Sequence, residues 1–329
     1  MGQPLLEVED LHVRFETPIG DVHALRGIDF SIERGQVFGL VGETGCGKSV
    51  TGRSILGLVP APGKITAGRI LLDGQDLLAL GEREMRKIRG QRIAMIFQDP
   101  QAALNPVFTI GQQIMAVLSH HRVATGPELR RRAIRLLDDV RMPDPEALLD
   151  AYPHQLSGGM QQRAVIAIAL SPDPDLLIAD EPTTALDVTI QAQILDLLLS
   201  LQRARRISVL LITHNLGIVA ETCHKVVVLY AGRIAEQGEV RDIFHRPQHP
   251  YTQGLLAALP TPESRGHSLK VIPGLVPSGL KPANGCAFAP RCEYFMEICS
   301  QRQPPLYRVG PIQRAACFLH EETAGQEVS

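Results

Sequence analysis

Short, predominantly apolar runs recur along the chain at Val37–Val41, Leu176–Ala179, Ile207–Ile212 and Val226–Leu229. Runs of that length are predicted to be strands buried on both faces of a largely parallel sheet. Between them the period changes to that of an amphipathic helix. Behind Asp187, a natural N-cap, Ile190, Ile194, Leu197, Leu198 and Leu201 fall at i, i+4, i+7, i+8 and i+11. Leu129, Ala133, Leu136, Leu137 and Val140 repeat that spacing behind Pro127, which suits a first helical turn. Strands alternating with helices predict an α/β fold.

Two segments break the alternation. Residues 99–156 carry helical periodicity and no strand pattern, and read as a helical insertion. From residue 246 the periodicity fades and prolines crowd, with 11 of the 24 in the last 84 residues. Such a tail is expected to build little core of its own and to need a staple. The expected divisions are therefore a core of residues 1–98 and 157–245, a helical subdomain of 99–156 and a C-terminal extension of 246–329.

Composition narrows the class. Lys+Arg 33 against Asp+Glu 35 leaves a formal charge of -2, which argues against a nucleic-acid partner. A hydrophobic fraction of 44% is enough for a real core. No apolar run reaches the roughly 18 residues of a membrane span; Ala164–Leu170 is core-sized. The opening residues carry no basic stretch of a secretory signal, and Leu6 stands where a myristoylation signal wants Ser or Thr, so a cytosolic-side protein is expected. Cysteines are uneven: Cys46 and Cys223 are alone in the first 285 residues, while Cys286, Cys292, Cys299 and Cys317 crowd the last 44. In a reducing compartment such a cluster suggests a metal or redox cofactor before disulfides.

Gly42-Glu43-Thr44-Gly45-Cys46-Gly47-Lys48-Ser49 fits G-x-x-x-x-G-K-[ST] between an expected strand and an expected helix, the context this phosphate-binding motif requires. The glycines let backbone N–H groups turn inward around a β-phosphate, and the helix N-terminus adds its dipole. Lys48 is expected against the β- and γ-phosphates and Ser49 on Mg²⁺. Cys46 reads first as a small residue that fits the loop. As a thiol at a helix N-terminus it is also a candidate for a lowered pKa, and for alkylation that blocks nucleotide binding.

Leu176–Ala179 runs into Asp180 and Glu181. Asp180 is expected to hold Mg²⁺, and Glu181 to orient or deprotonate the attacking water. Ser157-Gly158-Gly159 then offers a second anion-binding helix start, about 110 residues from the first.

Leu156-Ser157-Gly158-Gly159-Met160-Gln161-Gln162-Arg163 resembles the signature of ABC ATPases. The resemblance implies that the signature of one subunit closes over ATP held by the partner's loop, in a sandwich dimer with two nucleotides. It also implies that Gln98 touches Mg²⁺ and senses the γ-phosphate, and that His214 is the switch histidine. Ala185, Leu186 and Asp187 match the D-loop, with Thr184 where Ser is commoner, and Phe15 is the candidate for stacking on adenine. Phe97–Pro106, reading FQDPQAALNP, and His249-Pro250-Tyr251-Thr252 are similar to elements of importers for peptides and nickel.

The fold implied is a P-loop ABC ATPase cassette with a helical insertion subdomain and a small Cys-rich extension. The function implied is the ATP-hydrolysing subunit of a dipeptide or oligopeptide importer, peripheral at the cytoplasmic face of the cell membrane. Its partners would be a second, distinct ATPase subunit, two membrane permease subunits docked on residues 99–156 and, indirectly, a solute-binding protein. Nickel or another small solute is the alternative cargo. A soluble ABC ATPase of DNA repair or translation is disfavoured by the single cassette, the lack of sustained heptads and the lack of a basic face. The cysteine spacing C-x5-C-x6-C-x17-C matches neither zinc knuckles nor the common ferredoxin patterns, so zinc and [4Fe–4S] both remain open on softness alone. The resemblance favours an iron–sulfur [4Fe–4S] cluster on Cys286, Cys292, Cys299 and Cys317.

Overall fold

The computed structural model describes residues 3–183, 187–259, 271–277, 279–280 and 283–321. Strands β1 (Leu6–Thr17) and β2 (Gly20–Ile32) open the chain as an antiparallel hairpin. The wholly buried β3 (Val37–Val41) feeds α1 (Lys48–Ile55), and β4 (Gly63–Leu72) turns into β5 (Gln75–Asp76). After α2 (Glu82–Ile88) and β6 (Ile93–Ile96) comes a helical run: α3 (Pro100–Ala103), α4 (Ile110–His120), α5 (Pro127–Asp139), α6 (Pro145–Leu148) and α7 (Gly158–Leu170). Strand and helix then alternate through β7 (Leu176–Asp180), α8 (Val188–Arg205), β8 (Ser208–Thr213), α9 (Leu216–Thr222) and β9 (Lys225–Tyr230). The chain continues through β10 (Arg233–Glu239), α10 (Val240–His245), α11 (Pro250–Ala257), α12 (Ile298–Gln301), β11 (Tyr307–Arg308) and β12 (Arg314–Ala315).

The chain divides into two units, one of Met1–Ile32, Val37–Leu78 and Ile212–Ser329, the other of Glu33–Gln36 and Ala79–Leu211. In the first, β2-β1-β4-β5 form an antiparallel sheet, and β11-β12-β10-β9-β3 form a mixed run in which β3 and β9 pair in parallel. The apolar-run pattern points to a parallel sheet and misses the antiparallel one. The reason lies in β1, where Leu6 and Val8 are buried in alternation and Leu11 and Val13 resume it one residue out of phase. A bulge at Asp10, with φ 43 and a register shift between Val8 and Leu11, causes the slip and hides the period of two.

The extension corrects a second expectation, that it builds little core of its own and needs a staple. Tyr251, Ala287 and Phe288 are buried in one cluster with Val41, Val226, Val228 and Tyr230, so the tail shares the apolar core of β3 and β9. Glu236 on β10, fully buried, accepts from the backbone N–H groups of Gln248 and His249, both at 2.9 Å, and from Gln313 Nε2 at 2.8 Å. One buried carboxylate thus gathers three donors from distant stretches of the extension.

In the second unit, β8, β7 and β6 lie side by side, with β6 and β7 parallel from Ile93↔Leu176 to Ile96↔Ala179. Every residue of β7 is buried, which is why the run reads as continuously apolar up to its carboxylate. Helix α8 buries Ile194, Leu197, Leu198 and Leu201, as its spacing predicts, and α5 buries Ala133, Leu136 and Leu137. Arg205 binds Asp173, Asp139 and the Leu170 carbonyl, tying the end of α8 to those of α5 and α7.

Candidate functional site

The loop between β3 and α1 is built on glycines that cannot be replaced. Gly42, Gly45 and Gly47 have φ of 150, 83 and 109, a region that side chains rarely enter. A Cβ on Gly42 would lie 2.2 Å from the Leu229 carbonyl oxygen, and one on Gly47 would lie 2.7 Å from that of Ala24. Lys48 is 5% exposed and donates from Nζ to the carbonyls of Gly42 at 2.7 Å and Glu43 at 3.1 Å. Its ammonium is therefore folded back onto the loop's own carbonyls, while Thr44 and Gly45 are exposed. Ser49 stands in the first turn of α1, whose Thr51 hydroxyl donates to the Gly47 carbonyl at 3.0 Å.

Cys46 does not have the lowered pKa for which its place at a helix N-terminus makes it a candidate. It is fully buried, and burial pushes its thiol up despite Lys48 Nζ at 3.9 Å. Phe15 is half-buried in β1, its ring packed over Gly63, where an added Cβ would meet Phe15 Cε1 at 2.6 Å. His214 is exposed just beyond β8, followed by Asn215, whose side chain caps α9 by accepting from the N–H groups of Gly217 and Ile218.

In the second unit, β7 delivers Asp180, 2% exposed, and then Glu181 in the left-handed region at φ 46. A non-glycine residue held there marks a sharp, over-determined turn. Gln98 Nε2 donates to Glu181 Oε2 at 3.1 Å, so the parallel strands bring two expected site residues together. Ser157 caps α7 by accepting from the Met160 N–H at 3.4 Å, leaving Ser157 and Gly158 exposed. Asp187 caps α8 by accepting from the Ile190 N–H at 3.0 Å. The two helix starts adjoin: a Cβ on Gly159 would stand 2.9 Å from Ile190 Cγ2. Thr184, Ala185 and Leu186 lie outside the described residues.

Residues 25–184 match the ABC transporter family, and residues 235–299 match the C-terminal region of oligopeptide/dipeptide transporters. The dipeptide transport ATP-binding protein DppD of Bacillus subtilis is 48% identical over 327 residues, covering 99% of this chain and 98% of that one. The oligopeptide transport ATP-binding protein OppD of the same organism is 50% identical over 317 residues, 96% of this chain and 88% of that one. This chain belongs to the ABC transporter ATP-binding proteins. Among solved structures, the dimeric post-hydrolysis state of the ATP-binding cassette MJ0796, bound to ADP and Pi, aligns with a TM-score of 0.64 at 27% identity, covering 72% of this chain and 99% of that one. The protein is an ATPase with the cassette fold.

Membership in this family corrects the cofactor expectation. The expected iron–sulfur [4Fe–4S] cluster on Cys286, Cys292, Cys299 and Cys317 is overturned: among the described residues no three His, Cys, Asp or Glu side chains are grouped to hold a metal ion. All four are free thiols. Burial pushes Cys317 up to about 11 and raises Cys286 and Cys292 as well, away from the thiolate form that ligation requires. The segment is closed by backbone instead, with the Cys286 N–H donating to the Cys299 carbonyl at 2.8 Å.

Sequence reasoning missed the partners of Glu43. Tyr251 and Arg291 both bind it; the His249-Pro250-Tyr251-Thr252 and Gly285–Cys292 stretches resemble importer elements, but neither signals a contact with the phosphate loop.

Proposed function

We propose that this ATPase powers an importer of dipeptides and oligopeptides from the cytoplasmic face of the inner membrane, where it works as a peripheral subunit. The match of residues 235–299 to the C-terminal region of oligopeptide/dipeptide transporters carries the peptide assignment. Among the described residues no helix is long and apolar enough to cross a membrane. Membrane permease subunits supply the pathway in this reading, which the same C-terminal match supports.

Lys48 and the backbone of Gly42–Ser49 bind the phosphates of ATP. Ser49, Gln98 and Asp180 offer hydroxyl, amide and carboxylate oxygens, the hard donors that suit magnesium, which when bound neutralises phosphate charge. Glu181 orients and deprotonates the attacking water, Gln98 holds the Glu181 carboxylate in place, and His214 contacts the γ-phosphate. Ser157, Gly158, Gly159 and Asp187 face the nucleotide of a second ATPase subunit, and Phe15 lies against adenine. Residues 99–156 dock on the permease pair through the stretch around Val107 and Phe108, which are 70% and 49% exposed. A distinct partner ATPase and a solute-binding protein complete the assembly.

The deciding experiment is a mild-detergent pulldown of tagged protein from its own membranes, read by mass spectrometry. Two polytopic proteins and a second ATPase are expected; soluble partners alone would overturn the importer.

A further inference from the structure

Glu43, the second residue of the phosphate loop, is held at two points by the C-terminal extension. Its backbone N–H donates to the Tyr251 hydroxyl at 2.9 Å. Its carboxylate accepts from both terminal nitrogens of Arg291, Nη1 to Oε2 at 2.7 Å and Nη2 to Oε1 at 3.0 Å. The Glu43 carbonyl faces the other way, accepting from Lys48 Nζ at 3.1 Å and from the Cys46 N–H at 3.2 Å, which closes the turn carrying Thr44 and Gly45. One residue therefore joins the extension to the lysine and the turn that receive phosphate.

Both anchors are rigid. The Arg291 side chain is 5% exposed and also donates from Nε to the Pro273 carbonyl at 2.8 Å and from Nη2 to the Ile272 carbonyl at 3.2 Å. Its guanidinium lies 5.7 Å from the Tyr230 ring centroid and 5.9 Å from that of Phe288. A planar fork shared between a loop carboxylate and two extension carbonyls fixes position as well as charge, which a lysine could not do. Tyr251 is fully buried, with its ring 4.6 Å from that of Tyr230 and 5.4 Å from that of Phe288, so its hydroxyl cannot follow a loop that shifts.

We propose that Tyr251 and Arg291 are positioning residues of the ATPase. Acting through Glu43, they hold the phosphate loop in its receiving conformation, so the extension sets the affinity for ATP. The proposal rests on Gly42–Ser49 being the phosphate loop. Tyr251 and Arg291 contact Glu43 and not the base Glu181, so they act on binding and not on the chemical step.

The test uses the full-length chain with Tyr251→Phe, Arg291→Gln, Glu43→Gln and the double Glu43→Gln/Arg291→Gln. The readouts are the Kd for ATP, the KM and kcat of hydrolysis, and the thermal midpoint. Tyr251→Phe and Arg291→Gln are each expected to raise Kd and KM by about 5- to 20-fold and to leave kcat within about twofold. The double variant is expected to be no weaker than the worse single, because both act through one contact. Wild-type Kd in folded Tyr251→Phe and Arg291→Gln overturns the proposal, as do losses from Glu43→Gln and Arg291→Gln that multiply. If Arg291→Gln fails to fold, Tyr251→Phe decides alone, since it removes a single hydroxyl. Wild-type affinity in Lys48→Ala would instead overturn the phosphate-loop assignment on which the proposal stands.

Discussion

Gln98 donates from Nε2 to Glu181 Oε2 at 3.1 Å, although the two residues are 83 positions apart. The parallel register pairs Ile96 with Ala179, so each residue stands two places past a paired strand position and both emerge at the same end of the sheet. The carboxylate is thereby aimed by a neutral amide, which orients it without supplying a compensating charge. Glu181→Gln keeps the shape and removes the base. ATP should bind with near-normal affinity while turnover falls by about two to four orders of magnitude. Single-turnover hydrolysis with the full-length protein in its transporter would check this, and undiminished turnover would remove Glu181 from the role.

Glu236 makes a stability prediction that does not involve the nucleotide. Glu236→Gln replaces one accepting oxygen with a donor, leaving a buried N–H facing another N–H. The loss should be about 1–3 kcal/mol, read from urea unfolding at constant m. A variant as stable as wild type would show that the three donors find other acceptors.

His249 predicts an acid-sensitive extension. Burial depresses its pKa to about 3, while its Nδ1 accepts from the Tyr251 N–H at 3.0 Å. In the unfolded chain the imidazole takes up a proton near pH 6.5, as an ordinary histidine does. Between those values the unfolded chain binds more protons than the folded one, so this contribution to stability is full above about pH 6.5 and is lost as pH falls towards about 3. His249→Asn keeps a side-chain acceptor for the cap and removes the titration. Its thermal midpoint should fall less steeply over that range than that of wild type, and parallel pH profiles would refute the assignment.

Cys46 is expected to resist alkylation. The thiol is fully buried and raised in pKa, so iodoacetamide reaches it only when the loop opens. Mass spectrometry should show Cys46 labelled at least about tenfold more slowly than in urea, and rapid labelling in the native protein would contradict the burial.

The strands β3, β7, β8 and β9 were legible because they are buried on both faces and read as continuous apolar runs. Helices α5 and α8 were legible because one face packs and the other does not. Hairpin β1–β2 was not, because the bulge at Asp10 shifts the alternation by a residue in mid-strand. The extension misled for another reason. Its cysteines form a conspicuous pattern, whereas Tyr251 and Phe288 are scattered aromatics whose burial depends on a core built elsewhere in the chain.

What the sequence determined by itself is local: a glycine loop that only one backbone conformation satisfies, helix starts at Ser157 and Asp187, and a carboxylate pair at a strand's end. Each depends on neighbours within a few residues, through capping, positive φ or period, and so can be read from spacing. Tertiary structure alone decided that Glu43 meets Arg291, 248 residues away, and that Glu236 gathers Gln248, His249 and Gln313. A charge pair of that span leaves no period in the chain. It arises only when burial of surrounding apolar groups brings the partners together, here with the Arg291 side chain buried and Glu43 half-buried.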